Sequence, residues 1–328
     1  VGLKQQWRDR SSEPPLSHID DEPTRLSIGC ATSTYPLFTP APNSVPIYIT
    51  EESDMASTKG VPRMGKILIE LMVLLGAVGL SNSTIQRPEY DDTPAPEFVN
   101  PSWMAGLPDS CLLSEVTMPG THNTMAIYGG ALVECQSWSL ASQLRAGVRF
   151  LDVRVRHVRG NLTIHHGVSY QRAHFGDVLE GVADFLSEYP SEMVLLRLKE
   201  EFSETIDIYG AVVSYIHLYA DWDLLWHGRL MPTVGQARGK LIVLQDFGGP
   251  DLGMRYGSLD IADDWKVPTL LHVAEKWQSV HEHLEAAPVG NKAHIFTYGS
   301  GAGIFAYPNT IAQRINARLY DYLTAQIG

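Results

Sequence analysis

The chain has 328 residues, 44% of them hydrophobic and 19% charged, with a formal net charge of −12. That length holds one large domain with an appendage, or two ordinary domains. An acidic balance, with a pI near 5.4 and no run of Lys or Arg, argues against a nucleic-acid partner and leaves any membrane contact local and largely apolar.

Residues 1–63 carry Pro, Ser, Thr and scattered charges with little periodicity. They read as a disordered or loosely attached extension. Residues 64–83, MGKILIELMVLLGAVGLSNS, have a basic flank, an apolar core from Ile67 to Leu80 and small residues afterwards. This resembles a secretory signal peptide and points to a secreted or surface-associated protein. Glu70 interrupts the core and its position is internal, so Met55 or Met64 could be the natural start; a short buried helix is the alternative. The core is too short for a confident membrane span. Gly60–Lys66 (GVPRMGK) nearly spells a phosphate-binding loop, but no strand precedes it and Ile67 stands where a Ser or Thr should be. Residues 84–101 read as a linker. Asn82-Ser83-Thr84 and Asn161-Leu162-Thr163 match glycosylation acceptors, a triplet common by chance.

From Ser102 to the end, strand-like and helical runs alternate. The strands are LSEVTMP, RFLDVRVRHV, LTIHH, MVLLRLKEEF, KLIVLQDF and AHIFTYG. Between them lie helical patterns: WSLASQLRAG, FGDVLEGVADFLSEY, DIYGAVVSYIHLYADWDLLW, TLLHVAEKWQSVHEHLEAA and TIAQRINARLYDYLTAQ. In one of these, Leu179, Val182, Ala183 and Leu186 fall on a single stripe, as a helix covering a sheet requires. Apolar strands such as MVLLRL and KLIVL suit a parallel sheet buried on both faces. Alternation over some 225 residues predicts a parallel α/β fold, a (β/α) barrel before other forms.

Three strand-like runs end in polar clusters: His122 with Asn123, Asp152 with Arg154, and His165 with His166. Two imidazoles, a carboxylate and a guanidinium suit acid–base chemistry on an anion, a phosphodiester first. Imidazole titrates near pH 6.5, so it serves as either acid or base. A guanidinium fork matches two phosphate oxygens and a negatively charged transition state. Asp152 and Arg154, two apart, share one face of their strand; a simple buried ion pair is the bland alternative. Alternation turns His165 and His166 to opposite faces. For Lys199, beside Glu200 and Glu201, a solvated charge cluster competes with a binding role. Gly299, Gly301 and Gly303 fail the dinucleotide spacing, and HEHLE at 281–285 is no metal-binding HExxH. Cys30, Cys111 and Cys135 are too few for a disulfide scaffold and fit no zinc site. Cys111 and Cys135 could pair in a secreted chain, the alternative being buried thiols.

MPGTHNT, CQSWSLASQLRAGVRFLDVR, HHG and LRLKEE, in that order over about residues 102–328, resemble the X domain of phosphatidylinositol-specific phospholipase C, of the bacterial and fungal single-domain type. The resemblance implies a distorted TIM barrel that cuts phosphatidylinositol to diacylglycerol and a cyclic inositol phosphate without a metal, at a membrane surface and as a monomer. It implies His122 as general base, His166 as general acid, Arg154 on the phosphate and Asp152 orienting that arginine. Lys199, Asp263 and Trp265 match headgroup-binding positions, with Trp where Tyr is more usual.

Three departures qualify this. Asn123 stands where bacterial relatives have an aspartate supporting the general acid; calcium-dependent relatives have Asn there, so calcium is a minority alternative, opposed by Arg154 in the metal position. Gln245 and Asp246 occupy a strand end where a second headgroup arginine is expected. Relatives continue past TIAQRINARLYDYLTAQIG into a last strand whose aspartate partners the general base, so the barrel is expected to lack that strand and the chain as given to be poorly active. The alternatives are a calcium-dependent glycerophosphodiester-type phosphodiesterase and a catalytically silent lipid- or inositol-phosphate-binding barrel.

Overall fold

The computed structural model describes residues 95–96, 99–286, 295–303 and 306–325. The proline-rich extension, the signal-like segment at 64–83 and most of the expected linker lie outside the described residues, as does Cys30. No helix among the described residues is long and apolar enough to cross a membrane.

The fold is mixed α/β. Nine strands are described: β1 Gly120–Thr121, β2 Phe150–Val158, β3 Asn161–His166, β4 Ser169–His174, β5 Val194–Glu200, β6 Leu241–Asp246, β7 Met254–Arg255, β8 Asp260–Ala262 and β9 Ile295–Thr297. The helices are α1 Leu140–Ala146, α2 Phe175–Glu188, α3 Ile208–Tyr219, α4 Val234–Ala237, α5 Val273–Ala286 and α6 Pro308–Ala325. One sheet runs β4-β3-β2-β5-β6-β7 with β1 also on β2, while β8 and β9 pair separately. Ring closure between the two sheets is not formed by described ladder pairs. No strand follows α6 among the described residues.

Two expectations need correcting. LSEVTMP is not a strand: Leu113–Glu115 is a 3-10 turn, with Glu115 accepting from the Leu112 N–H at 3.0 Å, and pairing begins only at Gly120. The sheet is also not parallel throughout, because β3 and β4 form antiparallel pairs beyond β2. The β2–β3 turn, Arg159-Gly160, has positive φ at both residues, 49° and 80°. That is the twist a two-residue hairpin demands, with glycine at its second position.

The local signals for the helices are plain. Ser139 caps α1 by accepting from the Ser142 N–H, and Gly147 ends it at φ 115°, a left-handed cap that glycine adopts without strain. Asp177 accepts from the His174 N–H at 2.6 Å to start α2, and Asp207 caps α3 through the Gly210 N–H at 2.8 Å. Val178, Leu179, Val182 and Leu186 of α2 are buried, each contributing about 1.5–3 kcal/mol relative to exposure.

Strand alternation then sorts the two faces of the sheet. Leu151, Val153 and Val155 of β2, Val194, Leu196 and Leu198 of β5, and Leu241 and Val243 of β6 face the helices in one apolar cluster. The opposite face is layered by the ladder register. Phe150 pairs with Leu195, and Leu195 with Ile242, inside a second apolar cluster. The next layer on that face is Asp152, Arg197 and Leu244; the one above is Arg154, Lys199 and Asp246. Chemistry begins where the apolar floor ends.

Candidate active site

β1 and β3 share one edge of β2 and run toward each other along it. β1 pairs with Phe150 and Leu151, whereas β3 pairs with Val155 to Val158 in the opposite direction. His122 follows the tip of β1, and His166 is the last residue of β3. The backbone of Asp152, in the gap between them, is satisfied by Thr124, whose N–H and Oγ1 each bond it at 2.8 Å. The end of β1 thus sets His122 against Asp152 and Arg154, and the end of β3 brings His166 close enough to feel the charge of Arg154.

The side chains meet in a buried cluster. His122, Asn123, Asp152, Arg154 and His166 are all at least nine-tenths buried. Arg154 Nη2 donates to His122 Nε2, which makes that nitrogen the acceptor of a neutral ring. Asp152 Oδ2 lies 3.4 Å from His122 Nε2 and 3.5 Å from Arg154 Nη2. His122 Nδ1 has no hydrogen-bond partner among the described residues. Gln136 fixes the His122 backbone by donating to its carbonyl at 2.9 Å, and the Tyr298 ring stands edge-on to the imidazole, 5.8 Å between centroids. Opposite, His166 Nδ1 donates to the Val133 carbonyl at 2.7 Å, which leaves its Nε2 for the site.

The two rings titrate apart. Burial, then the Arg154 guanidinium, holds His122 well below the usual imidazole range, against an upward pull from Asp152. Burial also disfavours charge on His166, but the adjacent Cys135 sulfur and the Val133 carbonyl outweigh it and raise its pKa. Burial pushes the Asp152 carboxyl up, yet Arg197 and Arg154, with His122, overcome this and keep it well below the ordinary carboxylate range.

The structure adds two residues that sequence reasoning passed over. Glu201 is the tightest carboxylate on Arg154, at 2.8 Å from Nη1, closer than the expected Asp152. Its other oxygen accepts from the Gly167 N–H at 2.8 Å, tying the turn after His166 to β5. Arg197, also buried, places Nη1 3.5 Å from Asp152 Oδ1 and donates to Asp246 Oδ2 from Nε and Nη2 at 3.0 and 2.7 Å. Both were legible as a parity: residues 195, 197, 199 and 201 fall on one strand face, so the charge run RLKEE points inward at alternate positions.

The remaining predicted residues divide. Lys199 is partly open, with Nζ 3.4 Å from Glu201. Asp263 lies in the field of Lys276, Arg197, Asp152 and Arg154, and its pKa is raised, chiefly by burial. Trp265 is half-buried with the Lys266 ammonium 5.3 Å from its ring centroid; no described contact joins it to the histidine pair. Asn123 is sealed: its N–H donates to Asp152 Oδ2 at 3.2 Å and its amide lies 3.9 Å from Cys135 Sγ. The expected support of the general acid therefore comes from the Val133 carbonyl. His165 turns away, packing on Tyr170 at 5.6 Å. Cys111 and Cys135 do not form a disulfide: they are buried thiols in separate apolar clusters, so that expectation is corrected.

Comparison with known proteins bears on this geometry. Residues 111–245 match the family described as phosphatidylinositol-specific phospholipase C, X domain. The 1-phosphatidylinositol phosphodiesterase of Listeria monocytogenes is 26% identical over 242 residues, covering 67% of this chain and 74% of that protein. The protein of the same name from Staphylococcus aureus strain Newman is 24% identical over 176 residues, 50% of this chain and 56% of that one. Among solved structures, the Listeria phosphatidylinositol-specific phospholipase C superposes with a TM-score of 0.62 at 26% identity, over 70% of this chain and 89% of that chain. A Staphylococcus aureus phospholipase C shares the fold at 18% identity, with a TM-score of 0.53 over 67% of this chain and 96% of that one. The layered sheet, the buried His122–Arg154 pair and these likenesses agree: residues 111–245 match the phosphatidylinositol-specific phospholipase C X domain.

Proposed function

We propose that the protein cleaves phosphatidylinositol at a lipid surface, as a monomer, to diacylglycerol and a cyclic inositol phosphate. The observation that carries this reading is one buried cluster in which Arg154 donates to His122 Nε2 while the Val133 carbonyl holds His166 by Nδ1, environments that displace the two rings' pKa values in opposite directions. Environments that separate two like groups assign the base and the acid. A phosphodiester oxygen competes with His122 Nε2 for the Arg154 N–H, freeing the lone pair. His122 then takes the proton of the inositol 2-hydroxyl, whose oxygen attacks phosphorus. The bond to the diacylglycerol oxygen breaks, and that oxygen takes the proton from His166 Nε2. Arg154, held by Glu201 and Asp152, balances the charge on the phosphoryl oxygens and supplies in the protein itself the cation that a metal would otherwise bring.

A lipid-facing rim supports the surface reading. Exposed Leu132 precedes Val133, exposed Val168 sits in the turn after His166, and exposed Phe202 follows Glu201. Three loops that touch the site each present one apolar side chain outward. Secretion or surface attachment rests on the signal-like composition of residues 64–83. The test is release of diacylglycerol from phosphatidylinositol vesicles, with and without chelator. Turnover unchanged by chelator, and lost in His122→Ala and His166→Ala with unaltered unfolding midpoints, is expected. Turnover that needs calcium would favour the calcium-dependent phosphodiesterase, and none at all would favour a silent lipid-binding barrel.

A further inference from the structure

We propose that Asp246, pinned by Arg197, accepts hydroxyl groups of the substrate's headgroup and so selects a neutral polyol; this rests on the phosphatidylinositol reading above. Asp246 ends β6 level with Lys199 and Arg154, in the upper polar layer. The layer beneath is closed, Asp152, Arg197 and Leu244 all being buried. Above it, the Lys199 and Asp246 side chains are 27% and 31% exposed. They are the partly open cation and carboxylate of that layer, on paired positions of neighbouring strands whose backbones lie one strand spacing (about 4.8 Å) apart.

Arg197 gives the carboxylate its direction. Its two N–H contacts with Asp246 both fall on Oδ2, and no described hydrogen bond or ion pair falls on Asp246 Oδ1. The guanidinium itself has little freedom: it lies over the Tyr256 ring at 4.1 Å and against Asp152 at 3.5 Å. A rigidly backed oxygen with open lone pairs is what hydroxyl recognition needs. A carboxylate at this place also repels a headgroup carrying a second phosphate.

The test is calorimetric binding of myo-inositol 1-phosphate, and of analogues each lacking one ring hydroxyl, to the wild-type chain, Asp246→Ala and Asp246→Asn. Loss of a hydrogen bond to a charged group predicts about 10- to 100-fold weaker binding for folded Asp246→Ala, and a smaller loss for Asp246→Asn, whose amide oxygen can still accept from Arg197. For one analogue the difference between wild type and variant should vanish, and in turnover of phosphatidylinositol the change should fall on KM rather than kcat. Wild-type affinity in Asp246→Ala, or an equal loss for every analogue, would overturn the role of Asp246 while leaving the activity intact. A wild-type chain that neither binds the phosphate ester nor turns over the lipid would remove the functional reading and this one together.

Discussion

Arg154 and the Val133 carbonyl make unlike residues of two identical side chains. One donates to the His122 ring and the other accepts from His166, so one imidazole resists a proton and the other holds one. In a plot of kcat/KM against pH, the acid limb belongs to His122 and lies below its ordinary value of about 6.5, whereas the alkaline limb belongs to His166 and lies above it. A broad plateau through neutrality is expected; a narrow bell centred near 6.5 would contradict the assignments. Glu201 gives a second prediction at this scale. Glu201→Gln removes the closest charge on Arg154 and loosens the turn after His166, so kcat should fall about 10- to 100-fold, the range of a displaced supporting group. Kinetics at wild-type levels would show that Asp152 alone suffices.

The site is assembled by short elements that sequence periodicity reads poorly. β2, β5 and β6 were legible because their apolar runs are long, and so were α2 and α3. β1 was misjudged as LSEVTMP because its pairing spans only Gly120 and Thr121, too few residues to show a period. β4, SYQRAH, was missed because its buried residues include Gln171 rather than a row of apolar ones. The histidines, Asp152 and Arg154 were found through their motifs. Glu201 and Arg197 were not, because a charge run reads as solvated unless strand parity is followed to its end. Asn123 shows the same limit: its φ of 44° is a backbone need that Asn meets more readily than most residues. Asn123→Ala should cost about 1 kcal/mol, and Asn123→Gly less, in denaturant unfolding. The start of β2 depends on a different device. Arg149 is fully buried, bonds Glu192 at 2.7 Å and donates to the carbonyls of Pro101, Leu144 and Val148. Glu192→Leu leaves that charge without its counterion and should destabilise by about 3–5 kcal/mol; a change under 1 kcal/mol would deny the pair its structural role.

For the whole molecule, the same groups link acidity to stability. His122 and Asp152 both have folded pKa values below their unfolded ones. Their contributions are therefore fully present above about pH 6.5 and 3.9 respectively, and are lost as pH falls from those values toward the lower folded ones. His166 acts oppositely, stabilising below about 6.5 and losing that as pH rises through its elevated value. As pH falls below about 6.5 the unfolded chain takes up the proton that the folded His122 resists, so the protein should lose stability there, and His122→Asn should flatten that slope. At the surface, Leu132→Ser, Val168→Ser and Phe202→Ser together should lower turnover on vesicles at least tenfold while sparing a soluble inositol phosphodiester, if the rim meets lipid.

The account turns on which histidine gives a proton and which takes one, and a change of leaving group separates them. With an inositol aryl phosphodiester in place of the lipid, the departing oxygen needs no acid. The deficit of His166→Ala should shrink by a factor of ten or more, while that of His122→Ala stays as large as it is with phosphatidylinositol. Equal deficits for both variants on both substrates would contradict it.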